Sequence, residues 1–211
     1  MDLHQCSTVI IFGGSFDPPH IAHLRLPAEA MVSINADKVA YVPVAKQALK
    51  ADRLATSSEH RLAMLQLTIA DQPHAVILTD ELDRASDGRP SYTVDTLEAL
   101  RQRLGPDVRL RLLIGADQLH QFDRWRQPQR IIELAEPLVM LRPPDTVDSL
   151  LDALPQGFDR QQWRERIVAV AQMNVSATMI RNRVAAQDSI TDMVTPAVER
   201  YIHEHGLYRP G

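Results

Sequence analysis

An α/β fold, a parallel sheet with helices on both faces, is what the 211-residue sequence predicts, and three observations carry the prediction. Short aliphatic runs alternate with amphipathic stretches of helical period, the order of repeated βαβ units. The length and the 45% hydrophobic content suit one domain with a substantial core, spanning 1–211. A glycine-containing turn joins the first apolar run to the first helical stretch, as at the ligand-binding edge of an open parallel sheet.

Taken in order, the expected strands are Val9 to Phe12, Lys38 to Val44, Ala75 to Leu78, Val108 to Ile114, Pro137 to Leu141 and Ile167 to Val170. The clearest helical stretches are Ala22 to Ser33, Ser58 to Ile69, Thr93 to Leu104 and Ala197 to His205. No internal repeat is visible. The stretch 143–166 contains Pro143, Pro144, Pro155 and Gly157, breaks the alternation, and reads as an inserted excursion before the last strand.

Composition narrows the function classes. With 23 basic and 27 acidic residues the net charge is -4, so bulk charge gives no basic face for nucleic acid. The single cysteine, Cys6, can form neither an internal disulfide nor a cysteine-rich zinc site, which fits a reducing cytoplasm. The apolar run ending at Gly13 is too brief for a signal peptide or a membrane span, so a soluble protein with no membrane partner is expected. A homo-oligomer is compatible with the sequence, which does not set the number of subunits.

The segment from Phe12 to His23 holds the most information. Parallel sheets bind ligands beyond the carboxyl ends of their strands, and a helix N-terminus offers backbone N–H groups to an anion. Gly13 and Gly14 carry no Cβ to obstruct a phosphate, and Pro19 suits the first helical turn. His20 and His23, three apart, would share one helix face and point two imidazoles at one phosphate group. An ordinary surface or capping pair is the plain alternative. A zinc pair is the third, but it is more often spaced by four and needs another ligand, which the sequence does not offer. No resident metal site is expected.

Gly14 to His23 resembles the first signature of the HxGH nucleotidyltransferases, G-x-F-x-P-x-H-x-x-H, with Ala22 where the family usually has glycine. Near the other end, Val175-Ser176-Ala177-Thr178-Met179-Ile180-Arg181 resembles the second signature, I-S-S-T-x-I-R. Physically, Ser176 and Thr178 can cap a new helix whose free N–H groups favour a triphosphate, and Arg181 adds a charge that cannot be titrated away. The resemblance implies a Rossmann-like sheet of nucleotidyltransferase type.

Within that superfamily, Ser91-Tyr92-Thr93-Val94-Asp95-Thr96-Leu97 is similar to the S-Y-T-x-D-T-L stretch of nicotinate-nucleotide adenylyltransferases, which lies beside the pyridine ring and its carboxylate. Arg84 is the counterpart of that family's upstream arginine, at a longer spacing, and is left out of the site. Ile114-Gly115-Ala116-Asp117 and the downstream Trp125 resemble the family's I-G-A-D and tryptophan, which implies ribose contact for Asp117 and stacking on the pyridine for Trp125. The closing run from Tyr201 to Tyr208 matches as well. After the second strand, the family's P-P-H-K run is missing its prolines and histidine, and Lys50 takes the lysine position with Lys46 as competitor.

The implied reaction is attack of a phosphate oxygen of nicotinate mononucleotide on the α-phosphorus of ATP, with Mg²⁺ accompanying ATP and pyrophosphate leaving. His20, His23, Lys50 and Arg181 are the implied catalytic residues. Gly13, Gly14, Ser15, Phe16, Gly115, Asp117, Ser176 and Thr178 are assigned to ATP, and Tyr92, Thr93 and Trp125 to nicotinate mononucleotide. Two other readings keep both signatures: another superfamily enzyme, such as a pantetheine-phosphate adenylyltransferase or a cytidylyltransferase, and a non-catalytic nucleotide-binding regulator.

Overall fold

The computed structural model describes residues 3–44, 56–86, 92–141, 144–155 and 157–209. Six strands form one wholly parallel sheet: β1 (Thr8–Gly14), β2 (Lys38–Pro43), β3 (Ala75–Ile77), β4 (Arg109–Gly115), β5 (Glu136–Leu141) and β6 (Ile167–Ala169). Their order is β3-β2-β1-β4-β5-β6. The chain builds outward from β1 on one side and then returns to lay β4 against its other edge. That reversal opens a crevice beyond the carboxyl ends of β1 and β4, the place where doubly wound sheets bind ligands.

Successive strand residues point to opposite faces, and each face is covered. On one face, Ile10, Phe12, Val39, Tyr41 and Leu138 pack with Leu26 and Ala30 of α1 (Ile21–Ser33) and Leu65 and Ile69 of α2 (Ser58–Ile69). α3 (Asp80–Ser86) follows β3. On the other face, Val9, Ile11, Leu112, Ile114 and Val139 pack with Leu97 and Leu100 of α4 (Thr93–Leu104), and α5 (Ala116–Leu119) and α6 (Pro128–Leu134) join them. The excursion folds into α7 (Val147–Asp152) and α8 (Arg160–Arg164), which bury Leu150, Leu151 and Trp163 in this same cluster. A third cluster joins Met64 of α2 to Ile180 and Val184 of α9 (Ala177–Ala185) and Val198 and Ile202 of α10 (Pro196–Glu204).

All six expected strands are present with ends displaced by a residue or so, as fraying and end geometry produce. Helices α3, α5, α6, α7 and α8 have four to seven residues, too few turns to print a period. Among the described residues, no helix is long and apolar enough to cross a membrane.

Candidate active site

At the end of β1 the chain turns through Phe16, whose φ of 49° is left-handed and costly for a bulky side chain. The turn is held because the Phe16 ring is fully buried, with Phe12 and Tyr41 about it and the His23 ring edge-on to it, centroids 5.1 Å apart. Gly14 makes room for that ring: a Cβ there would stand 2.9 Å from Phe16 Cζ. A Cβ at Gly13 would meet, among the described residues, nothing nearer than the Val42 carbonyl at 4.0 Å, so there is open space at Gly13, whereas the space at Gly14 is taken by the protein's own side chain. Phe16 therefore packs the loop and braces His23, and its buried ring is not offered to a ligand.

His20 and His23 meet, through a cap rather than along a helix face. His20 is extended, with φ -141° and ψ 171°, and forms the N-cap of α1, while His23 sits on the first turn. Pro19 consequently lies before the cap and outside the first helical turn, because the backbone stays extended through His20. The backbone N–H of His20 donates to His23 Nδ1 at 3.2 Å, and the two rings stack with centroids 3.6 Å apart and planes 18° from parallel. Accepting through Nδ1 leaves the His23 proton on Nε2, a donor suited to a phosphate oxygen. The Tyr41 hydroxyl donates to the His23 carbonyl at 3.0 Å, and the Met193 carbonyl takes the Ile21 N–H at 2.9 Å. With the His23 N–H donating to the His20 carbonyl at 2.8 Å, two N–H groups of the helix start are already satisfied within the protein.

The two signatures touch. Ser176 caps α9, its Oγ accepting from the Met179 N–H at 3.2 Å, and the helix carries Arg181 back to the first loop. There the guanidinium donates to the Asp17 carbonyl at 2.6 Å and to Thr178 Oγ1 at 3.1 Å. Thr178 lies inside the helix, so its hydroxyl serves the arginine and Ser176 alone caps.

Beneath this junction lies a polar layer that the sequence reading did not assign. Arg61 of α2 is buried and donates to the Ser15 and Val44 carbonyls, each at 2.8 Å, and to the Thr56 carbonyl at 3.2 Å. Burial lowers its pKa, and the nearby Asp17 carboxylate opposes that shift. Asp17 is itself buried and accepts from the Tyr208 hydroxyl at 2.7 Å. A signal for Arg61 was legible: it lies on the buried stripe of α2 with Met64, Leu65 and Thr68, where a charge needs partners.

Across the sheet a second group forms. Tyr92 is the N-cap of α4 with Thr93 on its first turn, and both are half-buried. The Arg126 guanidinium lies over the Tyr92 ring, 4.6 Å from its centroid. Trp125, half-buried, packs on Phe122 with centroids 5.3 Å apart, and Phe122 in turn meets Phe158 and Trp163 of the excursion. Gly115 ends β4, and Asp117, on the short turn of α5, is exposed beyond that strand end. Arg84 is tied into the protein, donating to Thr96 of α4, whose hydroxyl donates to Glu81 at 3.1 Å.

Comparison with known proteins fits this geometry. The cytidylyltransferase-like family model matches residues 11–183. A relative from Roseiflexus sp. (strain RS-1), named as a nicotinate-nucleotide adenylyltransferase, is 38% identical over 199 residues, covering 94% of this chain and 96% of its own. One of the same name from Albidiferax ferrireducens is 39% identical over 202 residues, covering 94% and 96%. The chain belongs to the nicotinate-nucleotide adenylyltransferases. The fold of this adenylyltransferase is also that of the Plasmodium falciparum nicotinic acid mononucleotide adenylyltransferase complexed with NaAD, with TM-score 0.70 and 19% identity over 96% of this chain and 97% of that one.

In this adenylyltransferase, then, His20, His23, Thr178 and Arg181 gather about the first loop, and Tyr92, Thr93 and Trp125 lie with the opposite core cluster. Lys50 and its competitor Lys46 fall outside the described residues, as does Ser91. Among the described residues, no group of three or more His, Cys, Asp or Glu is placed to hold a metal ion.

Proposed function

We propose that this adenylyltransferase joins nicotinate mononucleotide to the AMP half of ATP in NAD biosynthesis, with His20, His23, Arg181 and Lys50 carrying the phosphoryl chemistry. A phosphate oxygen of the mononucleotide forms a bond to the α-phosphorus, the bond from that phosphorus to the bridging oxygen breaks, and pyrophosphate departs with the electron pair. Mg²⁺ enters with ATP. Such a transfer needs positioned positive charge and hydrogen-bond donors rather than a covalent intermediate.

The observation that supports the reading most is the contact of Arg181 with the Asp17 carbonyl, which sets the second signature's charge beside the stacked histidines of the first. His23 offers Nε2–H to a phosphoryl oxygen, His20, stacked on it, is the second imidazole donor to the triphosphate, and Arg181 faces the departing pyrophosphate. Gly13 and Ser15 line the phosphate approach, Gly115 and Asp117 take the ribose side, and Ser176 with Thr178 belongs to the second helix start. Tyr92, Thr93 and Trp125 receive the pyridine. Arg126 over Tyr92 adds positive charge there, from which a carboxylate gains and a carboxamide does not.

The test is pyrophosphate release on mixing ATP with nicotinate mononucleotide, its amide or phosphopantetheine, and on replacing ATP by CTP. Turnover should be fastest with ATP and the acid mononucleotide. Faster turnover with phosphopantetheine or CTP would move the protein to another branch of the superfamily, and nucleotide binding without pyrophosphate from any acceptor would make it a regulator. Equal specificity constants for acid and amide would remove the role given to the Tyr92 segment.

A further inference from the structure

Tyr208 lies far along the chain from the first signature and ends against it. A reversal brings it back: Gly206 and Tyr208 take positive φ of 59° and 63°, and the Leu207 N–H donates to the Ile202 carbonyl at 3.0 Å. The Tyr208 ring is anchored by apolar packing against the cluster of Met64, Ile180 and Val198. Its hydroxyl is anchored separately, donating to Asp17 Oδ1 at 2.7 Å, while the Thr56 N–H donates to Oδ2 at 3.3 Å. Both oxygens of a buried carboxylate are therefore engaged. The main-chain carbonyl of the same Asp17 accepts from Arg181 at 2.6 Å. Asp17 thus holds the tail on its side chain and the phosphate-facing arginine on its backbone.

We infer that Tyr208 is a positioning residue for adenylyl transfer, setting the Arg181 guanidinium against the triphosphate through Asp17. An arginine has several rotatable bonds, and a charge swinging among rotamers stabilises a transition state poorly, since small displacements from the productive geometry are costly. Arg181 is fixed by two acceptors, and one of them, the Asp17 carbonyl, belongs to the residue whose side chain Tyr208 clamps. Burial raises the Tyr208 pKa, so the phenol keeps its proton and remains a donor to the carboxylate. The inference rests on the proposed placement of Arg181 at the phosphates.

Tyr208→Phe tests it, because the ring packing is retained and only the hydroxyl is lost. Steady-state pyrophosphate release should show kcat lower by about tenfold, the scale of one lost hydrogen bond to a charged group. KM for nicotinate mononucleotide should stay within about twofold and the thermal midpoint within a few degrees, the split expected of a contact used in the transition state. In an Arg181→Ala background the same substitution should change kcat less than about twofold, because groups that act as a unit are not additive. Tyr208→Phe at parental kcat would overturn the inference, and so would a full tenfold loss persisting in the Arg181→Ala background. Arg181→Ala at parental rate would overturn the placement of Arg181 itself, a result distinct from failure of Tyr208 alone.

Discussion

The two groups of residues proposed above for the phosphates and for the pyridine are built by different physics. At the proposed phosphate end rings also meet, His20 on His23 and Phe16 against His23, but each charged or donor group is further fixed by hydrogen bonds: His20 to His23, Arg181 to Asp17 and Thr178, Arg61 to three carbonyls. At the pyridine end, Trp125 leans on Phe122, Phe122 on Phe158 and Trp163, and Arg126 lies over Tyr92, so ring contacts set the geometry. Directional bonds suit a step in which charge builds on particular oxygens, where a misplaced donor is lost to catalysis. Ring packing is broader and tolerates sliding, which suits holding a flat acceptor. The phosphate end should therefore fail through kcat, and the pyridine end through KM.

The largest expected effect is at the phosphate end. His20→Ala should lower kcat by ~10² to 10³ while the protein stays folded by circular dichroism, the loss typical of one transition-state donor. A variant within a few fold of its parent would deny His20 that place. Gly14→Ala should be next, acting on stability: its Cβ would press the buried Phe16 ring at 2.9 Å. Overpacking of this kind costs ~1 to 3 kcal/mol, read as a lower denaturant midpoint, and an unchanged midpoint would show that the loop repacks freely. At the pyridine end, Trp125→Ala should raise KM for nicotinate mononucleotide by roughly tenfold with kcat nearly kept, as lost stacking does. A fall in kcat instead would erase the contrast between the two ends. The smallest effect is expected for Thr178→Val, which removes one of the two acceptors of Arg181 and should lower kcat by roughly threefold, as one exposed hydrogen bond allows. A loss as large as that of His20→Ala would mean that Thr178 touches the nucleotide itself.

The sheet was legible because each strand is a short aliphatic run between breakers, and the two signatures were legible because their residues crowd into one turn and one helix start. The layer beneath them was harder to see. Asp17 and Tyr208 both fell inside stretches singled out for resemblance, yet their contact spans 191 residues and no local pattern encodes it. The histidine pair was expected on a helix face and forms across an N-cap, since spacing by three does not distinguish the two geometries. Phe16, assigned to ATP from its place in the first signature, is buried in the core because the bare Cα of Gly14 receives its ring.

The bond between Asp17 and Tyr208 also has a consequence in time. Translation at about 5 to 20 residues per second separates the appearance of two residues 191 apart by roughly ten to forty seconds. Throughout that interval the first loop exists with its glycines and histidines, but Asp17 lacks Tyr208 and Ile21 lacks the Met193 carbonyl. A nascent chain on the ribosome can pair β1 with β2 long before Tyr208 and Met193 arrive to lock its first loop, so the contact inferred to set Arg181 is among the last this protein forms as it is made.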